Sequence, residues 1–218
     1  MRMLVCMVTN GQAADRPARE ALTARVRDAA RAGVDLVQVR EPLLDSRALV
    51  DLSRGCVAAV RGCRARVVVN DRLDVALASG AHGVHLRADS VPGARVRRIV
   101  PPGFLIGRSV HSVEEASRAA GGGGLDYLVA GTVFPSTSKP GGPIMGVETL
   151  ARIVRAVPLP VLAIGGVTGE NLDLVAAAGA AGFAAITLFY PPPAPTRLDP
   201  GAVDGPGLSG DGRPPAAD

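Results

Sequence analysis

Lysine is nearly absent from this sequence: Lys139 is the single example, and the other 23 of the 24 Lys and Arg residues are arginine. Tryptophan is missing, and aromatic residues make up 3% of the chain. Scattered arginines without aromatic side chains for base stacking are not typical of a nucleic-acid interface. The net charge of +4 therefore does not predict a nucleic-acid partner.

Cysteines and long apolar runs are scarce as well. Cys6, Cys56 and Cys63 are too few for a disulfide framework and lack the spacing and histidine partners of a zinc site. The sequence has no run of 18 apolar residues and no basic segment leading into an apolar one at its start, so we expect no membrane span and no secretion signal. Together these absences predict a cytoplasmic protein.

The length and apolar content predict one medium-sized domain, since the chain has 218 residues of which 47% are hydrophobic. Residues 191–218 differ from the rest, because they hold 8 of the 18 prolines and 5 of the 27 glycines and show no apolar period. Such a composition cannot bury much surface. We therefore expect a folded domain at 1–190 and a disordered tail at 191–218.

Short runs rich in Val, Ile and Leu alternate with longer segments of helical spacing. The predicted strands are 3–8, 35–40, 66–70, 82–86, 104–109, 126–131, 160–165 and 182–187, and the predicted helices are 16–32, 46–61, 73–79, 91–100, 112–120, 147–157 and 171–178. This alternation predicts a (β/α)8 TIM barrel. A doubly wound sheet is the alternative, but residues 8–11 lack the Gly-rich turn that it usually carries. Three prolines at 191–193 follow the last strand, so the eighth helix is expected to be missing or displaced.

Polar residues gather at the carboxyl ends of the predicted strands, where barrels of this type place their chemistry. Each of them could serve only in a loop or a cap, but together they predict a site: Gln38, Arg40, Asn70, Asp71, His85, Arg87, Ser109 and His111. Gly165 and Gly166, with Thr187 after the last strand, predict a phosphate site, because glycines let backbone N–H groups approach an anion. A tight turn capped by Thr168 is the alternative.

Two residues suggest particular chemistry. Lys139 lies in a long polar loop after the sixth strand, and its flexible ammonium suits phosphate or pyrophosphate oxygens. His111, at the end of the fifth strand, can take and give a proton near neutral pH. The alternatives are a lysine placed there by chance and a purely structural histidine.

These residues lie in phrases that resemble the thiamine phosphate synthase/TenI family of (β/α)8 barrels. The resemblance runs from the first strand to Thr187. The matching phrases are VQVRE (37–41), VVNDRLDVALASGAHGVHL (68–86), IGRSVHSVEEA (106–116), DYLVAGTVFPSTSK (126–139), GVETLARI (146–153) and VLAIGGVT (161–168). Several long phrases in the family's order make this a specific resemblance.

One activity of this family is thiamine phosphate synthesis, which joins a pyrimidine pyrophosphate to a thiazole phosphate with the help of Mg²⁺. The resemblance implies a metal ligand at Asp71 and substrate-binding residues at Gln38, Arg40, Asn70, Thr137 and Lys139, to which the strand-end position adds Ser109. The synthase carries a lysine two residues after the arginine that matches Arg40, and this chain has Pro42 there. The second aspartate that binds magnesium in the synthase aligns with Ser90. Asp71, alone or with the neighbouring Asp89, is expected to bind Mg²⁺ poorly.

The other activity is the TenI-type thiazole tautomerase, which moves a proton on a carboxylated thiazole phosphate without a metal. Its catalytic histidine lies in a Gly-Arg-Ser-Val-His-Ser phrase, here residues 107–112. The sequence therefore favours a cofactor-free tautomerase with His111 as acid and base. Arg40 or Lys139 would pair with the substrate carboxylate. A Mg²⁺-dependent synthase and a non-catalytic phosphate-binding barrel are the alternatives. Members of this family commonly form oligomers, so the resemblance also implies a homo-oligomer.

Overall fold

The computed structural model describes residues 2–136 and 141–190. Eight parallel strands form a closed barrel in chain order, and β1 pairs with β8 to complete the ring. The strands are β1 (Leu4–Val8), β2 (Leu36–Val39), β3 (Arg66–Asn70), β4 (Gly83–Leu86), β5 (Leu105–Val110), β6 (Tyr127–Gly131), β7 (Val161–Ile164) and β8 (Gly182–Ala185). The predicted TIM barrel is confirmed, and every strand end lies within two residues of its predicted position.

Helices cover the outside of the barrel between successive strands. They are α1 (Arg16–Arg31), α2 (Ser46–Ala59), α3 (Leu73–Ser79), α4 (Gly93–Arg97), α5 (Val113–Gly121), α6 (Gly146–Ala156) and α7 (Leu172–Ala177). The side chains of Asp15, Asp45 and Ser112 accept backbone N–H groups in the first turns of α1, α2 and α5, so these helices begin where the sequence offers a cap. Among the described residues, no helix combines the length and the apolar character needed to cross a bilayer.

The helix α4 is shorter than the segment 91–100 that helical spacing predicted. Pro92 occupies its N-cap position, and Pro101 follows a few residues after its end. The residue before a proline avoids the helical conformation, and proline itself cannot continue a helix. The prolines on both sides therefore limit α4 to five residues.

Two apolar layers hold the barrel together. The larger one lies between the strands and the helices, and the smaller one fills the barrel interior with Cys6, Val8, Leu36, Val68, Tyr127, Val129, Leu162 and Ala184. Tyr127 fits inside because its neighbour on β5 is Gly107: a Cβ there would lie 2.1 Å from Cζ of the tyrosine ring. A glycine in β5 thus makes room for the largest side chain of the interior.

After β8 the chain makes one 3-10 turn, Thr187–Phe189, and the described part ends at Tyr190. No α-helix follows β8 within 2–136 and 141–190. Arg25 of α1 donates to the carbonyl of Phe189 and lies over the Tyr190 ring, 4.7 Å from its centroid. The prolines at 191–193, on which the expectation about the eighth helix rested, and the predicted tail at 191–218 lie outside the described residues.

Candidate active site

A cavity of about 710 Å³ opens at the carboxyl ends of the strands. All eight strands, or the residues that directly follow them, contribute to its wall. Eleven of the residues predicted from the sequence line it: Gln38, Arg40, Asn70, Asp71, His85, Arg87, Ser109, His111, Gly165, Gly166 and Thr187. Thr137 and Lys139, the remaining two, lie outside the described residues. The structure therefore brings the predicted residues of the described part into one cavity.

The ends of β2 and β3 present a pair of amides to this cavity. Nε2 of Gln38, which is buried, donates to Oδ1 of Asn70 at 2.9 Å. The pair places an amide oxygen of one residue beside an amide NH₂ of the other. This combination of acceptor and donor can recognise a heteroaromatic ring that offers both in its plane.

Asp71 follows β3 with a φ of +61°, a left-handed conformation that is uncommon outside glycine. Its N–H donates to the carbonyl of His85 at 2.8 Å, and its carboxylate accepts a hydrogen bond from the Ser90 hydroxyl. Nη1 of Arg87 lies 3.9 Å from the same carboxylate. The residues 70–71 and 87–90 are therefore linked into one polar corner of the cavity.

The loop after β4 is organised by two arginines. Arg87 forms a two-point ion pair with Asp89, and this hydrogen bonding holds the pKa of Asp89 below its usual value. Arg108 of β5 donates to the carbonyl groups of Ala88, Ser90 and Val91. The sequence placed Arg108 only within the histidine phrase, and the structure gives it the separate task of fixing this loop.

The corner at Asp71 fits a magnesium ion that is held partly by the substrate. Mg²⁺ prefers oxygen ligands and is usually bound by one or two carboxylates together with substrate phosphates and water. Asp71 supplies one carboxylate at the cavity wall and Ser90 supplies a hydroxyl oxygen beside it, whereas Asp89 is taken by Arg87. Among the residues that the structure describes, no group of three or more His, Cys, Asp or Glu could hold a metal by itself.

His85 is buried in β4 and joins two other polar side chains. Its Nε2 lies 2.9 Å from Oγ of Ser109, and its Nδ1 lies 3.3 Å from Oη of Tyr127. Burial, reinforced by the charge of Arg108 and opposed by that of Asp71, lowers the pKa of His85 to about 4. Burial also raises the pKa of Tyr127 well above its ordinary value, so both side chains are neutral at pH 7. Tyr127 was missed by sequence reasoning, because it begins an apolar strand and only the barrel register brings it to His85.

His111 lies at the rim of the cavity and about half of its side chain is exposed. Its backbone N–H donates to Oε2 of Glu115 at 2.7 Å, and its Nδ1 lies 3.2 Å from the same oxygen. Glu115, four residues further along the chain, was also missed by sequence reasoning. The His-x-x-x-Glu spacing across the start of α5 is the signal that could have found it.

Gly165 and Gly166 follow β7 with φ angles of +96° and +63°. A Cβ on Gly166 would lie 2.2 Å from the carbonyl oxygen of Pro135, so only glycine fits there without a shift of the backbone. The following Thr168 caps a short 3-10 turn together with Asn171. The turn that formed the alternative interpretation is therefore present, and the two glycines also line the cavity.

In the ring of eight strands, β3 and β7 stand opposite one another. The amide and carboxylate corner at β2–β4 therefore faces the glycine turn after β7 across one cavity. A closed barrel with such a polar cavity at the carboxyl ends of its strands is the arrangement of a (β/α)8-barrel enzyme. Comparison with known proteins places it within a particular family.

A family model described as thiamine monophosphate synthase matches residues 5–189. The thiamine-phosphate synthase of Methanoculleus marisnigri is 47% identical over 160 residues, which are 73% of this chain and 75% of that protein. The corresponding enzyme of Roseiflexus castenholzii is 40% identical over 195 residues, or 89% and 84% of the two chains. A solved thiamine phosphate pyrophosphorylase from Pyrococcus furiosus has a TM-score of 0.73 at 33% identity and covers 85% of this chain and 86% of that one. The chain belongs to the thiamine monophosphate synthase family, which confirms the resemblance.

Proposed function

We propose that the protein is a thiamine phosphate synthase, a transferase that joins a hydroxymethylpyrimidine pyrophosphate to a thiazole phosphate and releases pyrophosphate. The names of the similar proteins support this transferase better than the tautomerase that the sequence favoured. The observation that carries the proposal is one cavity with two polar ends on opposite sides of the ring, the arrangement that two anionic substrates need.

In this proposal the substrates occupy opposite ends of the cavity. The Gln38–Asn70 amide pair recognises the pyrimidine ring, and its pyrophosphate lies toward Asp71 and the end of β4. Gly165 and Gly166 receive the phosphate of the thiazole through backbone N–H groups. Arg40, exposed at the rim, adds a positive charge for either anion. Binding at both ends brings the thiazole nitrogen and the pyrimidine CH₂ group together for reaction.

The reaction breaks the C–O bond between the pyrimidine CH₂ group and pyrophosphate and forms a C–N bond to the thiazole. Negative charge therefore grows on the departing pyrophosphate, and its stabilisation is the main demand on the protein. Asp71, with the Ser90 hydroxyl beside it, would hold Mg²⁺, which when bound neutralises part of that charge. Arg87, 3.9 Å from Asp71, carries a second positive charge in the same corner.

The experiment that tests this function measures products from the purified protein with both substrates, with and without Mg²⁺. We expect thiamine phosphate and pyrophosphate in equal amounts, and only when Mg²⁺ is present. Aromatisation of a carboxythiazole phosphate without metal would support the tautomerase instead. Absence of product from both substrate sets would support the non-catalytic phosphate-binding barrel.

The tautomerase has one observation in its favour, the His111–Glu115 pair at the cavity rim. A carboxylate beside an imidazole can orient it for proton transfer. His111→Gln separates the two activities: we expect it to abolish any tautomerisation, whereas synthesis, which needs no proton transfer to a ring carbon, keeps most of its rate. Loss of synthesis in this variant would show that His111 has a further role.

The sequence also predicted a homo-oligomer, a cytoplasmic location and no nucleic-acid partner. These stay predictions. Gel filtration with light scattering measures the first, and it needs only the purified protein.

A further inference from the structure

The inner end of the cavity contains three polar side chains in series. Oη of Tyr127 lies 3.3 Å from Nδ1 of His85, and Nε2 of His85 lies 2.9 Å from Oγ of Ser109. Tyr127 and His85 are 5% and 1% exposed, so both are closed off from bulk solvent. His85 and Ser109 line the cavity, whereas Tyr127 lies behind them in the apolar interior of the barrel. The three residues therefore connect the interior to the ligand side.

A neutral imidazole has one N–H donor and one bare nitrogen that accepts, so the series can run in only two directions. In the first, the Tyr127 hydroxyl donates to Nδ1 and the Nε2–H of His85 donates to Ser109. In the second, Nδ1–H donates to Tyr127 and Nε2 accepts the Ser109 hydroxyl. The second direction leaves the Tyr127 O–H in need of another acceptor.

The Tyr127 hydroxyl has no second acceptor among the residues that the structure describes. Within 2–136 and 141–190, its only hydrogen-bond partner is His85, and its surroundings are apolar side chains such as Cys6 and Val129. A buried hydroxyl without an acceptor disfavours the second direction by a factor of about 5 to 150. The first direction is therefore the one that the fold selects.

We propose that Tyr127 and His85 are positioning residues that fix the Ser109 hydroxyl as a hydrogen-bond donor to the ligand. Because Ser109 accepts the Nε2–H of His85, its own proton is directed away from His85 and into the cavity. Ser109 then suits a ligand that offers an acceptor oxygen there. This role rests on the proposed function in one respect, since the acceptor is an oxygen of the pyrophosphate group.

Gly107 makes room for this hydrogen-bonded series. It lies two residues before Ser109 on β5, and a Cβ there would come within 2.5 Å of the Tyr127 hydroxyl. The absent side chain therefore allows the tyrosine to reach His85.

Nitrogen NMR on the purified protein without substrate tests the direction of the chain. The sequence has only three histidines, and His82 is an internal reference because its Nδ1 accepts the Val67 N–H at 2.9 Å and must be bare. We expect His85 to be neutral at pH 7 with its proton on Nε2. His85→Gln identifies its signal. Tyr127→Phe, which removes the donor to Nδ1, is expected to give a mixture of both tautomers. A proton on Nδ1 of His85 in the unmodified protein would overturn the proposal.

Binding of inorganic pyrophosphate, measured by calorimetry with Mg²⁺, tests the consequence for Ser109. We expect Ser109→Ala and Tyr127→Phe each to weaken binding about two- to tenfold. We expect Tyr127→Phe to have no further effect when Ser109 is already alanine. Tyr190→Phe is the matched control, because this second tyrosine lies outside the cavity wall, packed against Arg25, and its loss should leave binding unchanged.

Additive effects of Ser109→Ala and Tyr127→Phe would overturn the role of Tyr127, since they would mean that it acts without Ser109. Failure of the unmodified protein to bind pyrophosphate would count against the proposed function instead. The NMR result would then still decide the direction of the hydrogen-bond chain, so the two failures are distinguishable.

Discussion

Gly166 in the turn after β7 is a position where one added methyl group should be strongly destabilising. Its φ of +63° is left-handed, which disfavours alanine by about 1–2 kcal/mol. The new Cβ would also lie 2.2 Å from the carbonyl oxygen of Pro135 and 2.8 Å from that of Phe134. These backbone atoms are held in place, since the Phe134 N–H donates to Gly165 at 3.0 Å. The backbone shift that relieves this overlap should lower the free energy of unfolding by about 1–3 kcal/mol more.

Gly166→Ala should therefore destabilise the protein by about 2–5 kcal/mol, which lowers Tm by roughly 4–20 °C for a chain of this size. Alanine substitutions at two other glycines separate the effect of the left-handed φ from the effect of the overlap. Gly103 has a φ of +77° and no atom within 4 Å of an added Cβ, so Gly103→Ala should lose only about 1–2 kcal/mol. Gly169 has neither a left-handed φ nor any atom within 4 Å of an added Cβ, so Gly169→Ala should leave Tm almost unchanged. Thermal unfolding followed by circular dichroism measures all three.

Equal losses of Tm in Gly166→Ala and Gly103→Ala would show that the overlap with Pro135 has no energetic effect. A second readout concerns the ligand. The displaced turn should raise the KM for the thiazole phosphate at least about tenfold, since backbone N–H groups bind phosphate only when they point at it. Gly103→Ala, on a turn before β5 and outside the cavity wall, should leave that KM unchanged.

Three further changes can be predicted. Glu41 is buried and accepts two backbone N–H groups of the loop after β1, so Glu41→Gln should leave one of them unpaired. We expect this change to lower the free energy of unfolding in urea by about 1–3 kcal/mol. Glu20→Gln, at an exposed position, should lower it by less than about 1 kcal/mol. His85 has a pKa of about 4 in the folded protein, below its ordinary value of 6.5. The unfolded chain therefore takes up its proton first, and the free energy of unfolding should fall by roughly 3 kcal/mol as the pH drops from 6.5 to 4. His85→Gln should remove this pH dependence. Asp71→Asn should raise the Mg²⁺ concentration for half-maximal synthesis at least about tenfold. Asp74→Asn, at an exposed position outside the cavity wall, should leave that concentration unchanged. Equal effects of the two changes would exclude Asp71 as a magnesium ligand.

The barrel was predictable because its strands are nearly continuous apolar runs and its turns carry polar residues. Asn70 ends one of these runs and Gln38 lies near the end of another, and parallel strands must bring their carboxyl ends to one face. A rule about strand ends was therefore enough to place most of the candidate site. It was not enough for the length of α4, where prolines override helical spacing.

The buried part of the site could not be predicted in the same way. Tyr127 reaches His85 only because β5 stands between β4 and β6 and contains Gly107 at the matching register. That register is a property of the closed ring and leaves no local pattern in the sequence. The task of Arg108 is hidden for the same reason, since its three acceptors are backbone carbonyls of the neighbouring loop.

The packed interior of the barrel also has a kinetic consequence. Tyr127, Leu162 and their apolar neighbours close the inner end of the cavity, so ligands enter and leave through the mouth at the strand ends. Two substrates that share a single entrance cannot exchange independently, because a molecule bound at one side of the mouth narrows the passage for the other. Such a closed-ended cavity therefore couples the exchange of the two substrates. Isotope trapping should therefore show that one bound substrate is committed to reaction once the other has entered.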